Sequence, residues 1–253
     1  MLPETLALSF FLRLLLGHLL GDFLLQPFWL VLLKREGWTG LLIHVTIVTA
    51  ATAIVLWGLT PGWWIWIIAL WVGHTFIDQF RTFVFTDTSQ GKGFYLLVID
   101  QFVHLLFITL LAWLAAGWRP SSLRLLVDPN APGDLRLIAY LSGLVILMWV
   151  VPVVEVEFTM AMMAFQGAPS DKTLPIGLSD RLLGASERTI SLLLIVLGLG
   201  FISPVAFAPR LFVMLNGKQD KLDRVAAFSK AGASFVTALS IGLILLFIPF
   251  PSF

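Results

Sequence analysis

Cysteine is absent from the 253-residue chain. That excludes disulfides, thiolate metal sites and a cysteine nucleophile. Charge is also scarce: Asp, Glu, Lys and Arg make up 12% of the residues, against roughly 25% in a soluble domain. Apolar residues make up 58%, and the mean hydropathy is +0.95. Such a chain cannot present a polar skin to water on all sides. Its formal net charge is +1, and no basic run offers a surface to nucleic acid. A Gly-rich phosphate loop, a nucleotide fingerprint and serine–histidine triad spacing are missing too. The opening residues Met1-Leu2-Pro3-Glu4-Thr5 lack a basic stretch, so the first apolar block is expected to stay as a helix rather than serve as a secretory signal.

What is present comes in long apolar blocks. They cover about 5–32, 39–58, 62–84, 93–116, 135–164, 184–215 and 226–249, and a run of ~18 or more apolar residues reads as a spanning helix. The short alternating segments of a membrane β-barrel are not found. The expected fold class is all-α: a polytopic transmembrane helical bundle of about seven spans. Pro27 interrupts the first block, which predicts a span followed by an interfacial piece. Turn-forming residues separate the others, as at Lys34 to Gly37, Thr60 to Gly62 and Ser89 to Gly93. A longer linker from Arg119 to Asp134 contains Pro120, Pro129 and Pro132, and the stretch from Lys218 to Arg224 is charged. Two regions follow, 1–117 and 134–253, the second a three-helix transmembrane region. Trp63, Trp64 and Trp66 open the third block as an interfacial aromatic belt does. Basic residues divide almost evenly between the two faces and do not orient the chain.

The first region carries a duplicated hairpin. Gly17-His18-Leu19-Leu20-Gly21-Asp22 recurs as Gly73-His74-Thr75-Phe76-Ile77-Asp78, 56 residues later (74 − 18, 78 − 22), and the same offset carries His44 onto Asp100. Blocks one complete hairpin apart run in the same direction, so the repeat is a parallel one. His18–Asp22, His74–Asp78 and Asp100–His104 are i,i+4 pairs, which places each pair on one helical face. An ionised aspartate at the bilayer centre costs at least ~2.5 kcal/mol on insertion scales, so intramembrane acids face the bundle interior and mark functional paths. All four histidines lie in this half. Imidazole and carboxylate without thiolate form a donor set for a divalent metal, zinc or manganese foremost. The candidate ligands are His18, Asp22, His44, His74, Asp78, Asp100 and His104, with Gln26 and Gln101 as residues that orient a substrate or the ligands. A structural polar network and ligation of haem or chlorophyll by histidine remain the alternatives.

These segments resemble an uncharacterised family of bacterial polytopic membrane proteins, the domain of unknown function numbered 3307. The resemblance rests on residues 17–26, Leu41-Leu42-Ile43-His44, His74-Thr75-Phe76-Ile77-Asp78 and Asp100-Gln101-Phe102-Val103-His104. A second stretch, Gly184-Ala185-Ser186-Glu187-Arg188, resembles that family's later Gly-x-x-Glu-Arg segment. The resemblance implies a multi-pass protein of the bacterial inner membrane and names no reaction. His74-x-x-x-Asp78 is more distantly similar to a helix of inner-membrane metal-dependent hydrolases, which implies hydrolysis.

Three functions are open on this reading. A metal-dependent hydrolase would take a lipid or lipid-linked phosphate arriving laterally from the bilayer. A metal-ion or proton-coupled transporter would exploit the duplication. A non-catalytic subunit would use its aromatic exterior to dock in a membrane complex. Outside the repeat, Glu155 and Glu157 are expected to snorkel to the interface. Glu187–Arg188 could join an interhelical ion pair, and Arg13 is expected to meet Glu4 or a lipid headgroup.

Overall fold

The computed structural model describes residues 3–86, 91–128, 130–167, 178–209, 212 and 221–249. Ser89, Gln90, Pro129 and Lys218, which the sequence places in linkers, lie outside the described residues. The blocks are helical, and no strand occurs among the described residues. Helix α1 (Pro3–Leu19) continues into a π-helical turn, Leu20–Leu24. Pro27 then ends the block, since its ring cannot continue a helix, and a short α2 follows (Phe28–Glu36). Next come α3 (Trp38–Leu56) and α4 (Trp63–Gln79), the latter extended by a second π turn, Phe80–Val84. The chain goes on through α5 (Lys92–Ala116), a 3-10 turn (Pro120–Leu126), α6 (Gly133–Val145), a third π turn (Ile146–Val150) and α7 (Val151–Phe165). It closes with α8 (Leu178–Val196), a 3-10 segment (Gly200–Phe207) and α9 (Lys221–Leu246).

Five stretches are long and apolar enough to cross a bilayer: Pro3–Leu24, Trp38–Leu56, Lys92–Ala116, Gly133–Phe165 and Arg224–Leu246. The chain is an all-α membrane protein. The third and sixth blocks fall outside this set for separate reasons. In α4, four tryptophans together with His74, Asp78 and Gln79 lower the hydropathy. In the sixth block α8 is long enough, but Asp180, Arg181, Glu187 and Arg188 charge it, and Gly198, at a positive φ (78°) that suits glycine, follows its end before the 3-10 segment.

The chain divides into two compact units. One holds Met1–Thr86, Val98–Val145 and Ile248–Phe253, and α1 is its innermost helix, with twelve buried residues distributed around it. Helix α3 packs on α1, α2 and α4. The closeness of these contacts is written in glycine. A Cβ on Gly17 or Gly21 would strike the backbone of Thr52 or Val48 in α3, and one on Gly40 would strike the backbone of Leu33 and Lys34 in α2. Gly17 and Gly21 thus form a small-xxx-small face, the usual means of bringing membrane helices together.

Arg13 leaves this unit's interior through a specific contact. Its Nη1 donates to Val55 O at 2.7 Å, its Nε to Ser9 Oγ at 3.2 Å, and Nη2 lies 3.5 Å from Asp134 Oδ2. Val55 sits in the last turn of α3, whose carbonyls lack helical partners, so Arg13 caps that helix. Glu4, its expected partner, pairs instead with Arg124 at 2.8 Å.

The second unit comprises Asp87–Leu97 and Ile146–Phe247. Leu147, Val151 and Ala238 form an apolar centre, with Leu192 and Ile241 packed against it. Glu155 corrects the expectation of an interfacial acid: it is 7% exposed and meets Arg188 Nη1 at 2.7 Å. Ser234 donates to the same carboxylate and accepts from Arg188 at 3.0 Å. Apolar neighbours make an exposed position for Glu155 unnecessary once its charge is matched across α7 and α8. Glu157 is only partly buried.

Candidate metal centre

The site lies wholly in the first unit and is built one helical stripe at a time. Leu70, His74 and Asp78 are the buried residues of α4, spaced i, i+4, i+8. On α5, His104, Ile108, Leu111 and Ala112 repeat at helical spacing, and on α3 the inward stripe runs through Leu41, His44, Val45 and Val48. On α1 the stripe ends in the π turn, where His18 and Asp22 lie on the same face, both buried. Such turns in a helix are frequent at functional sites, because the extra residue re-aims the side chains around it. Gly73 lets α5 approach α4, since a Cβ there would meet the Phe107 ring.

Six of the seven candidate ligands converge. His18, His44, His74, Asp78 and His104 are at most 3% exposed, and Asp22 is 8% exposed. His44 Nε2 lies 3.3 Å from Asp22 Oδ1 and 3.2 Å from Asp78 Oδ2. His74 Nε2 lies 3.4 and 3.6 Å from those same two oxygens. The other oxygen of each acid faces a different imidazole: His18 Nε2 is 3.6 Å from Asp22 Oδ2, and His104 Nε2 is 3.5 Å from Asp78 Oδ1. The His18 and His104 rings stack with centroids 4.9 Å apart. Each carboxylate therefore turns one oxygen toward the His44–His74 pair and the other toward a single further imidazole.

These contacts are not hydrogen bonds. Both ring nitrogens of His18, His44 and His74, His104 Nε2 and Asp22 Oδ1 are buried without a hydrogen-bond partner. Buried polar atoms are normally satisfied, so eight such atoms in one place call for something to bind them. Donor groups His18–Asp22–His104, Asp22–His44–His74 and His74–Asp78–His104 each gather their ligand atoms within 4.8 Å.

Asp100 stands at the edge. It is partly buried, and its Oδ1 lies 3.8 Å from His104 Nδ1. The same nitrogen lies 2.9 Å from the Asp100 carbonyl oxygen. A proton on Nδ1 donated to that carbonyl leaves Nε2 with its lone pair toward Asp78, the tautomer a metal ligand needs. Gln101 Nε2 donates to Asp100 Oδ2 at 3.1 Å. Gln26, beyond the π turn and partly buried, takes no part in these contacts.

Lys34 joins the cluster although the sequence reading left it in a linker. Its Nζ lies 2.6 Å from Asp78 Oδ2, with the side chain 16% exposed. Leu30 is fully buried, and Lys34 is one turn further along α2 on the same face. Phe28, Trp29 and Leu32 occupy the exposed faces at 73%, 57% and 45%. That i,i+4 step from an inward leucine is the signal in the sequence that points Lys34 inward.

Comparison with known proteins adds the family. Residues 10–130 match the family described as a protein of unknown function (DUF3307). That segment is similar to the family. The match spans every residue of the cluster, so the polar centre and the family segment coincide. No curated protein and no solved structure matches the chain significantly, and nothing in the comparisons supports the more distant likeness to hydrolases.

Proposed function

We propose that the cluster holds two divalent metal ions bridged by Asp22 and Asp78, and that the protein is a metal-dependent hydrolase of a lipid or lipid-linked substrate. The observation that carries this reading is the division of each carboxylate between the His44–His74 pair and one further imidazole. One seat is Asp22 Oδ1, Asp78 Oδ2, His44 Nε2 and His74 Nε2, with contacts of 3.2–3.6 Å. Donors bound at ~2.1 Å in a tetrahedron stand about 3.4 Å apart, which is the spacing of the four nitrogen–oxygen contacts. The other seat would be His18, Asp22 and His104, whose ligand atoms gather within 4.8 Å, with Asp78 Oδ1 lying 3.5 Å from His104 Nε2. Unpartnered imidazoles, an acid-lined interior and hard donors without sulfur are the chemistry a divalent ion satisfies.

Charge gives further support. With neutral histidines, three aspartates and Lys34 sum to −2, a charge that burial makes costly and that divalent cations offset. Ions held there would supply Lewis-acid charge and activate water. Asp22 and Asp78 would fix their spacing, Asp100 would orient His104, and the apolar walls would exclude bulk water. Four protein donors per seat close a tetrahedral zinc, whereas a six-coordinate manganese keeps two positions for substrate. Catalysis on this scaffold therefore favours manganese. All-helical spans and belts of tryptophan agree with a multi-pass protein of the bacterial inner membrane.

The transport reading draws support from the duplicated hairpins. Against it, the pair related by the repeat, His44 and Asp100, does different work: His44 touches both carboxylates, and Asp100 meets His104 and Gln101. That asymmetry suits a fixed centre better than two exchanging halves. The test is hydrolysis in nanodiscs. Manganese-loaded protein should release inorganic phosphate from a lipid phosphomonoester such as phosphatidic acid, and chelation should stop it. A metal-loaded protein that cleaves none of a broad lipid panel yet carries Mn²⁺ across liposomes would overturn the hydrolase reading.

A further inference from the structure

We infer that Lys34 is the seat for an anionic phosphate group of the ligand at this centre, an inference that rests on the two-ion reading above. Among the described residues at the cluster, Lys34 is the cationic side chain in contact with it, 2.6 Å from Asp78 Oδ2. The contact is an ion pair between a partly exposed ammonium and a carboxylate 1% exposed. A divalent ion taking that oxygen leaves the ammonium beside a stronger cation. The lysine stem is flexible and its charge is a compact point, so it turns to the next anion within reach.

Formal charges say which anion that is. Two divalent ions, three aspartates and Lys34 sum to +2, and a phosphate dianion brings the centre to zero. A neutral lipid ester would leave it uncompensated in a low-dielectric interior. The position of α2 agrees. Its outer face exposes Phe28, Trp29 and Leu32, an apolar and aromatic surface of the kind that lies at the membrane interface. Lys34 lies on the opposite face, with its head at the buried cluster. Gly40 fixes this arrangement, because α3 lies directly against the backbone of Leu33 and Lys34. Arg35 and Glu36, the next two residues, are exposed.

The experiment uses the full chain in nanodiscs of zwitterionic lipid, loaded with Mn²⁺ and titrated with inorganic phosphate by calorimetry, with bound metal counted in every sample. Wild type should bind phosphate saturably. Lys34→Met should keep both ions and weaken phosphate binding about 10-fold or more, the scale of a lost charged hydrogen bond. Lys34→Arg, which keeps the charge, should restore most of the affinity and show that the loss is not one of folding. Phosphatidic acid added to the nanodiscs should displace inorganic phosphate if the source is a lipid headgroup. Absence of displacement assigns the seat to soluble phosphate. Equal phosphate affinity in wild type and Lys34→Met, with both ions present, would overturn the inference, as would a two-ion wild type that binds no phosphate. A wild type that retains no metal would instead overturn the metal centre itself.

Discussion

Asp22 and Asp78 occupy equivalent places, each turning one oxygen toward His44 and His74 and the other toward a further imidazole, His18 for Asp22 and His104 for Asp78. They are related by the internal repeat, and each touches both seats. A bridging role makes their loss different in kind from the loss of an imidazole. Asp22→Asn or Asp78→Asn should abolish binding of both ions, whereas His44→Ala or His18→Ala should leave one. Asp100→Asn should retain two ions with affinity lowered about 10- to 100-fold, the usual effect of disturbing a residue that orients a ligand. Elemental analysis of each purified variant across a metal titration separates the three outcomes.

The second prediction concerns the glycines that let α3 reach α1. Gly21→Val should cost about 1–3 kcal/mol or more, because the added carbons meet the Val48 backbone and a helix must shift. Moving α3 also carries His44 away from the carboxylates, so metal content should fall with stability. Gly232→Ala in α9, where a Cβ meets nothing within 4 Å, should be neutral or stabilise by about 0.5–1 kcal/mol. Thermal unfolding in detergent compares the two.

A good part of the site was legible in the sequence, and the reasons are physical. The i,i+4 period puts His18 with Asp22 and His74 with Asp78 whatever the tertiary arrangement, and the cost of charge in lipid sends them inward. The family resemblance rested on the same residues and is shown over 10–130. Helix boundaries came from apolar runs and failed where backbone conformation decides, as at Gly198. The partners of isolated charges were not legible. Glu155 finds Arg188, and Arg13 finds the Val55 carbonyl, through contacts 33 and 42 residues away in sequence. Lys34 sits in a stretch that reads as a charged linker; its i,i+4 step from Leu30 points it inward, and the packing of α3 at Gly40 against α2 holds it there.

Glu155 and Arg188 supply the third prediction. Arg188 is 1% exposed, and its removal leaves a carboxylate buried beside Ser234. Arg188→Met should destabilise the protein by about 3–5 kcal/mol, and Arg188→Met with Glu155→Leu should recover much of that loss, since an apolar pair leaves no charge uncompensated. A double variant as unstable as the single one would show that the pair contributes more than mutual neutralisation.

The remaining arginines differ by environment. Arg124 and Glu4 are 67% and 54% exposed, so Arg124→Ala should change stability by no more than about 1 kcal/mol. Arg13→Met should cost about 1–3 kcal/mol, because it strips the partner from the Val55 carbonyl at the end of α3. Equal effects of the two substitutions would count against the capping role of Arg13.

Counting tightly held divalent metal in the purified chain bears most directly on the whole account. Protein prepared without added chelator and loaded with Mn²⁺ should retain two ions per chain after extensive dialysis, with nitrogen and oxygen neighbours at about 2.0–2.2 Å by X-ray absorption. A folded chain that retains no metal under those conditions, with its imidazoles free to titrate, would contradict it.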